Sequence, residues 1–223
     1  VEDDFAAQLE AYLTCETPYL RGTLGMLAAA APVTQADART EQIVFFKHSF
    51  SAGDGIVGGE GIAQIGDLAG QRVAIQANGP HVDFVGRILA DGGLSFADVE
   101  IVWTADLTGD GDTPAAAMAE GRADAAAVIL PDARFLTSGG TVGTGAEGSG
   151  RGGQIRISTE EAAAVIGDYI AVRADYFDAN RDDIAQMVNL LFQAEEEMRQ
   201  FMAQDGDPRQ AQMADLMADA FLG

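Results

Sequence analysis

The apolar positions between residues 72 and 89 change period part-way along the segment. Over residues 72–77 apolar side chains alternate along the chain, which is typical of a strand. After the break Asn78-Gly79-Pro80 they recur at helical spacing, at Val82, Val85, Ile88 and Leu89. The fixed φ of proline suits a first helical turn, which Asn78 or Gly79 can cap. The pattern predicts a buried strand that leads directly into a helix, whose first N–H groups attract anions and polar ligand atoms.

Similar patterns predict further elements along the chain. Helices are predicted at 4–13, in an apolar stretch closed by Pro32, from Thr113 to Gly121, in 131–140, and from about Asp182 onward. Strands are predicted at 41–50, 99–104, 124–130 and 153–158. The Gly-rich interval 138–153 is predicted to be a loop. Because strands and helices alternate between residues 70 and 140, we expect parallel βαβ units, with the Ala-rich third strand covered on both faces.

The composition limits the classes of partner. The chain has 223 residues, 48% of them hydrophobic, and carries a net charge of −22 from 35 acidic and 13 basic residues. Nucleic acids and anionic membranes need a basic face, so neither is expected to bind. No apolar run approaches the roughly 20 residues that cross a bilayer. The chain opens with VEDDF, without Met or a signal segment, so we expect it to be processed or shortened.

Two sequence motifs suggest ligands but lack the surroundings that each needs. The dinucleotide pattern G-x-G-x-x-G occurs from Gly53 and from Gly143, yet neither match lies between a strand and a helix. Residues 106–117 place Asp106, Asp110 and Asp112 at calcium-loop positions. Ala117 stands where a bidentate Glu is required, so tight calcium binding is not expected.

The sequence predicts neither a catalytic centre nor a metal or cofactor site. His48 and His81 are the only histidines, and Cys15 is the only cysteine. A G-x-S-x-G nucleophile segment and a Cys-based zinc motif are both missing from the sequence. We therefore predict no catalytic residues, no metal ligands and no cofactor.

Three segments together resemble the substrate-binding proteins of ABC importers, in the group that binds aliphatic sulfonates, taurine, nitrate and thiamine precursors. The family phrase I-x-x-x-x-D-L-x-G-K-x-V-A reads Ile62 to Ala74 here, with Gln71 in place of the usual Lys. The turn G-L-x-x-x-D-V spans Gly93 to Val99, and the step A-x-x-x-G-x-x-D-A spans Ala117 to Ala125. VILPDARFL then resembles W-x-P-x-x-x-x-L, with Ile129 replacing the aromatic residue. The likeness covers most of residues 20–205.

The resemblance implies an α/β, type II periplasmic-binding-protein fold, in which two α/β lobes close on a ligand. Residues 1–57 and 167–223 would form lobe I, and residues 58–166 would form lobe II. The strand and helix that usually begin lobe I are not recognised in this sequence, so we expect lobe I to be incomplete at its N-terminus. The protein would lie in the periplasm or outside the cell, act as a monomer and pass a small-molecule ligand to ABC permease subunits.

The same resemblance implies where the ligand binds, because ligands of such folds lie at the carboxyl ends of strands and the starts of helices. The residues expected to face the cleft are Thr23, His48, Ser49, Asn78, His81, Trp103 and Asp132. Backbone N–H groups of residues 78–81 would carry much of the polar recognition. The His81 side chain would add one hydrogen bond or a stacking contact.

Three functions share the implied fold. The first is an importer component that binds a small polar or heterocyclic ligand. The second is the effector domain of a LysR-type regulator, which needs a DNA-binding helix-turn-helix that these residues do not contain. The third is an enzyme of the thiamine-pyrimidine-synthase type, which uses an iron-binding His and a Cys-rich motif that Cys15 alone cannot supply. We expect the first function.

Overall fold

The protein was studied as a computed structural model, which describes residues 4–109, 111–137, 153–159, 161 and 166–222. Most of the predicted Gly-rich loop at 138–153 lies outside the described residues. The strands are β1 (Tyr19–Thr23), β2 (Gln42–Phe50), β3 (Asp54–Gly58), β4 (Arg72–Gln76), β5 (Glu100–Thr104), β6 (Ala125–Ile129), β7 (Gln154–Ser158) and β8 (Gly167–Arg173). The helices are α1 (Phe5–Leu13), α2 (Leu24–Thr34), α3 (His81–Asp91), α4 (Pro114–Ala119), α5 (Leu130–Thr137), α6 (Ala174–Ala179), α7 (Arg181–Met202) and α8 (Pro208–Leu222).

The strands form two separate sheets. A three-stranded antiparallel sheet has the order β1-β8-β2, and a five-stranded sheet has the order β5-β4-β6-β3-β7. In the larger sheet β4 runs parallel to β5 and β6, as the alternating sequence pattern predicts. The strands β3 and β7, added antiparallel beyond β6, complete that sheet.

The inner strands of the five-stranded sheet, β4, β6 and β3, are buried on both faces. On one face Val73 and Ile75 of β4 pack with Phe84 and Leu89 of α3. On the other face, small residues of β4 and β6, such as Ala74 and Ala126, pack against α4 and α5. Met118 of α4 belongs to the same cluster. Residues Ala125 to Val128 are fully inaccessible to solvent, which confirms the prediction of a strand covered on both sides. Two layers of helices therefore hold the strand ends of this sheet in place.

The smaller sheet packs against α1 and α2. Its core contains Tyr12, Leu20, Leu27 and Ala171. The strand β1, which the sequence patterns did not predict, lies directly before α2, so a strand–helix unit precedes the rest of the sheet. The central strand β8 was not predicted either.

Two connections join the sheets. Residues 51–53 lead from β2 into β3, and residues 159–166 lead from β7 back to β8. The backbone N–H of Ser51 donates to the Ile166 carbonyl at 2.8 Å, so the start of the first connection lies beside the end of the second. β3 lies in the five-stranded sheet although it begins before residue 58, the boundary expected between the lobes.

Residues 175–223 form a second compact unit, separate from residues 1–174. The long helix α7 confirms the amphipathic helix predicted from about Asp182. The Gln210 side chain of α8 donates to the carbonyl of Phe201, 3.0 Å away, and so ties the start of α8 to the end of α7. The assignment of residues 175–223 to lobe I stays a prediction.

Candidate functional site

A cavity of about 400 Å³ lies where the helices of the smaller sheet meet the strand ends of the larger one. The first side contributes Phe5, Gly25, Met26 and Ala29, and the second contributes Ala77, Asn78, Gly79, Val82, Asp83 and Trp103. This volume falls within the range of about 300–1,000 Å³ that is usual for small-molecule sites. The lining is mostly apolar, with two polar side chains, Asn78 and Asp83.

A second cavity, of about 250 Å³, adjoins the first through a shared residue, Asp83. It is lined by Thr23, Leu24, Phe50, Pro80, Asp83, Ile166, Gly167 and Tyr169. Residues of both sheets contribute to this lining too. The two cavities together therefore form one cleft between the sheets, with Asp83 at the junction.

The turn between β4 and α3 shapes the wall of the larger cavity. Asn78 has a left-handed backbone with φ of 56°, a conformation that asparagine tolerates better than most residues. Gly79 follows, and a Cβ there would lie 2.3 Å from Oε1 of Gln76, so a larger residue would displace the end of that side chain. Pro80 is the N-cap of α3 and makes no side-chain capping bond, so the prediction that Asn78 or Gly79 caps this helix is wrong. The Asn78 side chain remains at the cavity surface.

One polar contact crosses the cleft. The hydroxyl of Thr23, the N-cap of α2, donates to Oδ2 of Asp83 at 3.4 Å. The carboxylate lies against Gly25, where a methyl group would fall 1.7 Å from the same oxygen. Glycine at position 25 is thus what leaves room for the carboxylate at the start of α2.

His81 lies beside this cleft but not in its lining. Its side chain is fully buried, and Nε2 lies 2.7 Å from Oδ1 of Asp54. A carboxylate can only accept, so Nε2 carries the hydrogen of this bond. The hydroxyl of Ser51 donates to the other carboxylate oxygen. The expectation that the His81 side chain faces the cleft is not met, because Asp54 and the neighbouring Phe84 ring hold it in the core.

Burial, hydrogen bonds and charge shift the pKa values of two carboxyl groups in this network. Burial alone would raise the pKa of Asp54, but the His81 hydrogen bond and charge, together with Ser51, lower it below its usual value. Burial raises the pKa of Asp132, and attraction to His81 offsets part of that shift. The ring atom Nδ1 of His81 is buried and has no hydrogen-bond partner among the described residues. Asp54, His81 and Asp132 therefore form one electrostatic group near the first connection.

The predicted site residues divide into two sets. Asn78 and Trp103 line the larger cavity and Thr23 lines the smaller one. The side chains of His48, Ser49, His81 and Asp132 line neither. The end of β2 does reach the smaller cavity, but through Phe50, the residue after Ser49, since strand residues alternate in direction.

The sequence patterns missed Asp83, Phe5 and Met26, all of which line the larger cavity. Asp83 had a local signal, because an acidic side chain in the first turn of a helix is favoured by the helix dipole. Phe5 and Met26 had none, since their apolar spacing is that of ordinary core-facing helices.

In the described part of the chain, no three His, Cys, Asp or Glu side chains come together in a way that could hold a metal ion. Asp110 of the predicted calcium-like loop lies outside the described residues. Asp112 pairs with Arg122 at 2.9 Å instead.

Residues 45–200 match the family model described as NMT1/THI5 like, which is most of the chain. The chain belongs to the NMT1/THI5-like family. No curated protein matches the sequence.

Solved structures show which fold this family member has. The periplasmic aliphatic sulphonate binding protein SsuA from Escherichia coli is similar to 96% of this chain, at 19% identity and a TM-score of 0.65. An ancestral arginine-binding protein bound to arginine is similar to the whole chain, at 17% identity and a TM-score of 0.52, with 79% of its own length covered. The desulfurization enzyme DSZB is similar to 79% of the chain, at 15% identity and a TM-score of 0.50, with 61% of its own length covered.

These likenesses confirm the periplasmic-binding-protein fold expected from the sequence, with its two α/β lobes. The chain spans 60% of the length of the sulfonate-binding protein. Within the described residues, no helix combines the length and apolar character that crossing a membrane requires.

Proposed function

We propose that this chain is the solute-binding part of an ABC importer and acts outside the cytoplasm. It captures a small polar or heterocyclic ligand between its two sheets, which are the two lobes, and delivers it as a monomer to permease subunits. The family membership and the likeness to periplasmic binding proteins support this assignment.

The observation that carries the proposal is the cleft itself. Its larger cavity takes its lining from α1 and α2 on one side and from the strand ends of the five-stranded sheet on the other. In the described part of the chain, two connections lead from one sheet to the other, at residues 51–53 and 159–166. Such paired connections suit hinge motion, in which the lobes close around a ligand.

Trp103 provides a direct measure of binding, because it is the only tryptophan and lines the larger cavity. Its side chain is 52% exposed, so a bound ligand should change its fluorescence. The solutes to titrate are sulfonates, nitrate, amidines, pyrimidines, aromatic acids and amines. A solute at 100 times its Kd should also stabilise the fold by about 2.7 kcal/mol. If no solute changes the fluorescence or the melting temperature, the proposal fails.

A pair of variants tests whether binding occurs at this cleft. Asn78→Gly keeps the left-handed backbone and removes the amide, so affinity should fall about tenfold, the loss expected for one hydrogen bond. Cys15→Gly is the matched control, because Cys15 also has a positive φ, of 66°, and lines neither cavity. Equal effects of the two changes would place the ligand elsewhere.

An enzyme is the second candidate, because the desulfurization enzyme DSZB shares the fold. The Ser51–Asp54–His81 group contains the residue types of a hydrolase triad, but in another arrangement. The Ser51 hydroxyl contacts Asp54 and not the imidazole, which is fully buried, so His81 is not placed to act as its base. We therefore propose a binding protein that turns over no substrate, and hydrolytic or redox turnover lost in Ser51→Ala would contradict this.

A further inference from the structure

Asp83 is the only charged residue that lines either cavity among the described residues. The remaining lining residues are apolar or neutral, and none is Arg, Lys or His. A ligand with a charged group would therefore meet a single, negative partner. The net charge of −22 acts in the same direction by attracting cations to the protein.

The Asp83 carboxylate occupies the place that would otherwise suit an anionic ligand. It lies at the start of α2, where the Thr23 hydroxyl donates to it and Gly25 leaves it space. A helix N-terminus favours negative charge, and here the protein's own carboxylate supplies that charge. A sulfonate or carboxylate placed at the same point would meet both steric exclusion and charge repulsion.

The rest of the larger cavity suits the apolar part of a cation. Phe5 and Trp103 contribute aromatic rings, whose faces attract ammonium groups. Met26 adds a polarisable thioether to the same lining. An aromatic lining beside one carboxylate is the combination that recognises amines with attached apolar groups.

We infer that the ligand is an organic cation, a quaternary or protonated amine with an apolar or aromatic part. Its charge lies at Asp83 and its apolar part fills the larger cavity beside Trp103. This inference rests on the function proposed above and names the ligand class for the same cleft. It separates this chain from binding proteins whose ligands are sulfonates.

Three probes of nearly equal shape test the charge of the ligand. They are phenyltrimethylammonium, neutral methyl phenyl sulfone and benzenesulfonate, each titrated calorimetrically into the native chain. The cation should bind at least about tenfold more tightly than the sulfone, as expected for one charge-assisted contact. The sulfonate should bind most weakly. Affinity for the cation should also fall with added NaCl, because salt screens the attraction.

Two variants of α3 assign the effect to one carboxylate. Asp83→Asn should weaken binding of the cation about tenfold and leave the neutral sulfone unchanged. Asp91→Asn is the matched control on the same helix, since Asp91 is exposed, pairs with Arg87 and lines neither cavity. It should leave all three affinities unchanged.

The outcomes separate this inference from the proposed function. If benzenesulfonate binds more tightly than the ammonium probe, or if Asp83→Asn leaves the preference unchanged, the inference is overturned while solute binding stands. If the probes do not bind but a member of the wider solute set does, the charge of that solute decides, and an anion overturns the inference. If no solute binds at all, the proposed function fails and the inference fails with it.

Discussion

Replacing His81 by Ala removes the hydrogen-bonding partner of a buried carboxylate. The ring is fully buried, and Asp54, 5% exposed, would keep the Ser51 hydroxyl as its side-chain partner among the described residues. A buried carboxylate that loses a hydrogen-bond donor stays desolvated and unmatched, which costs about 3 kcal/mol, and the cavity left by the ring adds to that loss. We expect the free energy of unfolding to fall by about 4 kcal/mol at pH 7, which lowers the melting temperature by roughly 10 °C in a chain of this length.

The loss should depend on pH. In the native chain the pKa of Asp54 lies below its usual value, so its stabilising effect is present above about pH 4 and disappears as the pH falls through the lowered pKa. Without His81, burial is the largest influence, and the pKa of Asp54 should rise above the value in the unfolded chain. The free energy of unfolding of the variant should then rise as the pH falls from 7 towards 4. The difference in this free energy between the variant and the native chain should become smaller.

Urea unfolding followed by circular dichroism at pH 7 and at pH 4 measures both effects. His48→Ala is the matched control, because His48 is the other histidine and is exposed on β2, so its loss should stay within about 0.5 kcal/mol. Folded His81→Ala should bind ligand like the native chain, since the ring lines neither cavity. The reasoning would be refuted if His81→Ala lost no more unfolding free energy than His48→Ala. It would also be refuted if the difference in unfolding free energy between His81→Ala and the native chain were equal at both pH values.

Three further predictions concern charge and capping. The melting temperature should rise between about 0.05 M and 1 M NaCl, because salt screens the repulsion among the charges of a chain with a net charge of −22. The Debye length falls from roughly 14 Å to 3 Å over this range, and a flat or falling melting temperature would contradict the prediction. Calorimetry should detect no submicromolar calcium binding, since Ala117 replaces the bidentate ligand, and such binding abolished by Asp110→Ala would show that a site exists. Thr113→Ala should lower the free energy of unfolding in urea by about 1 kcal/mol, because the Thr113 hydroxyl accepts from the Ala116 N–H at 3.1 Å at the start of α4. Replacing the exposed Thr108 by Ala should lower it much less, and equal losses would exclude a capping effect.

Elements with a strong local pattern could be predicted from the sequence. β4 alternates its apolar residues, β5 and β6 contain short apolar runs, and α3 repeats its apolar residues at helical spacing, so each needs only its own residues to be recognised. The resemblance then correctly indicated the two-lobe fold. Asn78 and Trp103, which it implied as ligand contacts, line the larger cavity, and their contact with a ligand stays a prediction.

β3 and β8 could not be predicted because their stability comes from their neighbours. The glycines of β3 suggest a loop, yet all five of its residues are buried between β6 and β7. At Gly55 a Cβ would lie 3.1 Å from the Ile157 carbonyl, so glycine here permits close approach of two strands. β8 shows no regular alternation and is a strand because β1 and β2 pair with it on both sides.

The sequence by itself determined the acidic charge, the parallel strands and helices of the larger lobe, and the family resemblance, since each depends on local composition or spacing. Only the tertiary structure decided which polar side chains line the cleft. His81 and Asp83 are two residues apart in one helical turn, but His81 turns into the core towards Asp54, 27 positions earlier, and Asp83 turns into the cleft towards Thr23, 60 positions earlier. Those partners come from distant parts of the chain, and the free energy of burying or exposing a charged group depends on them.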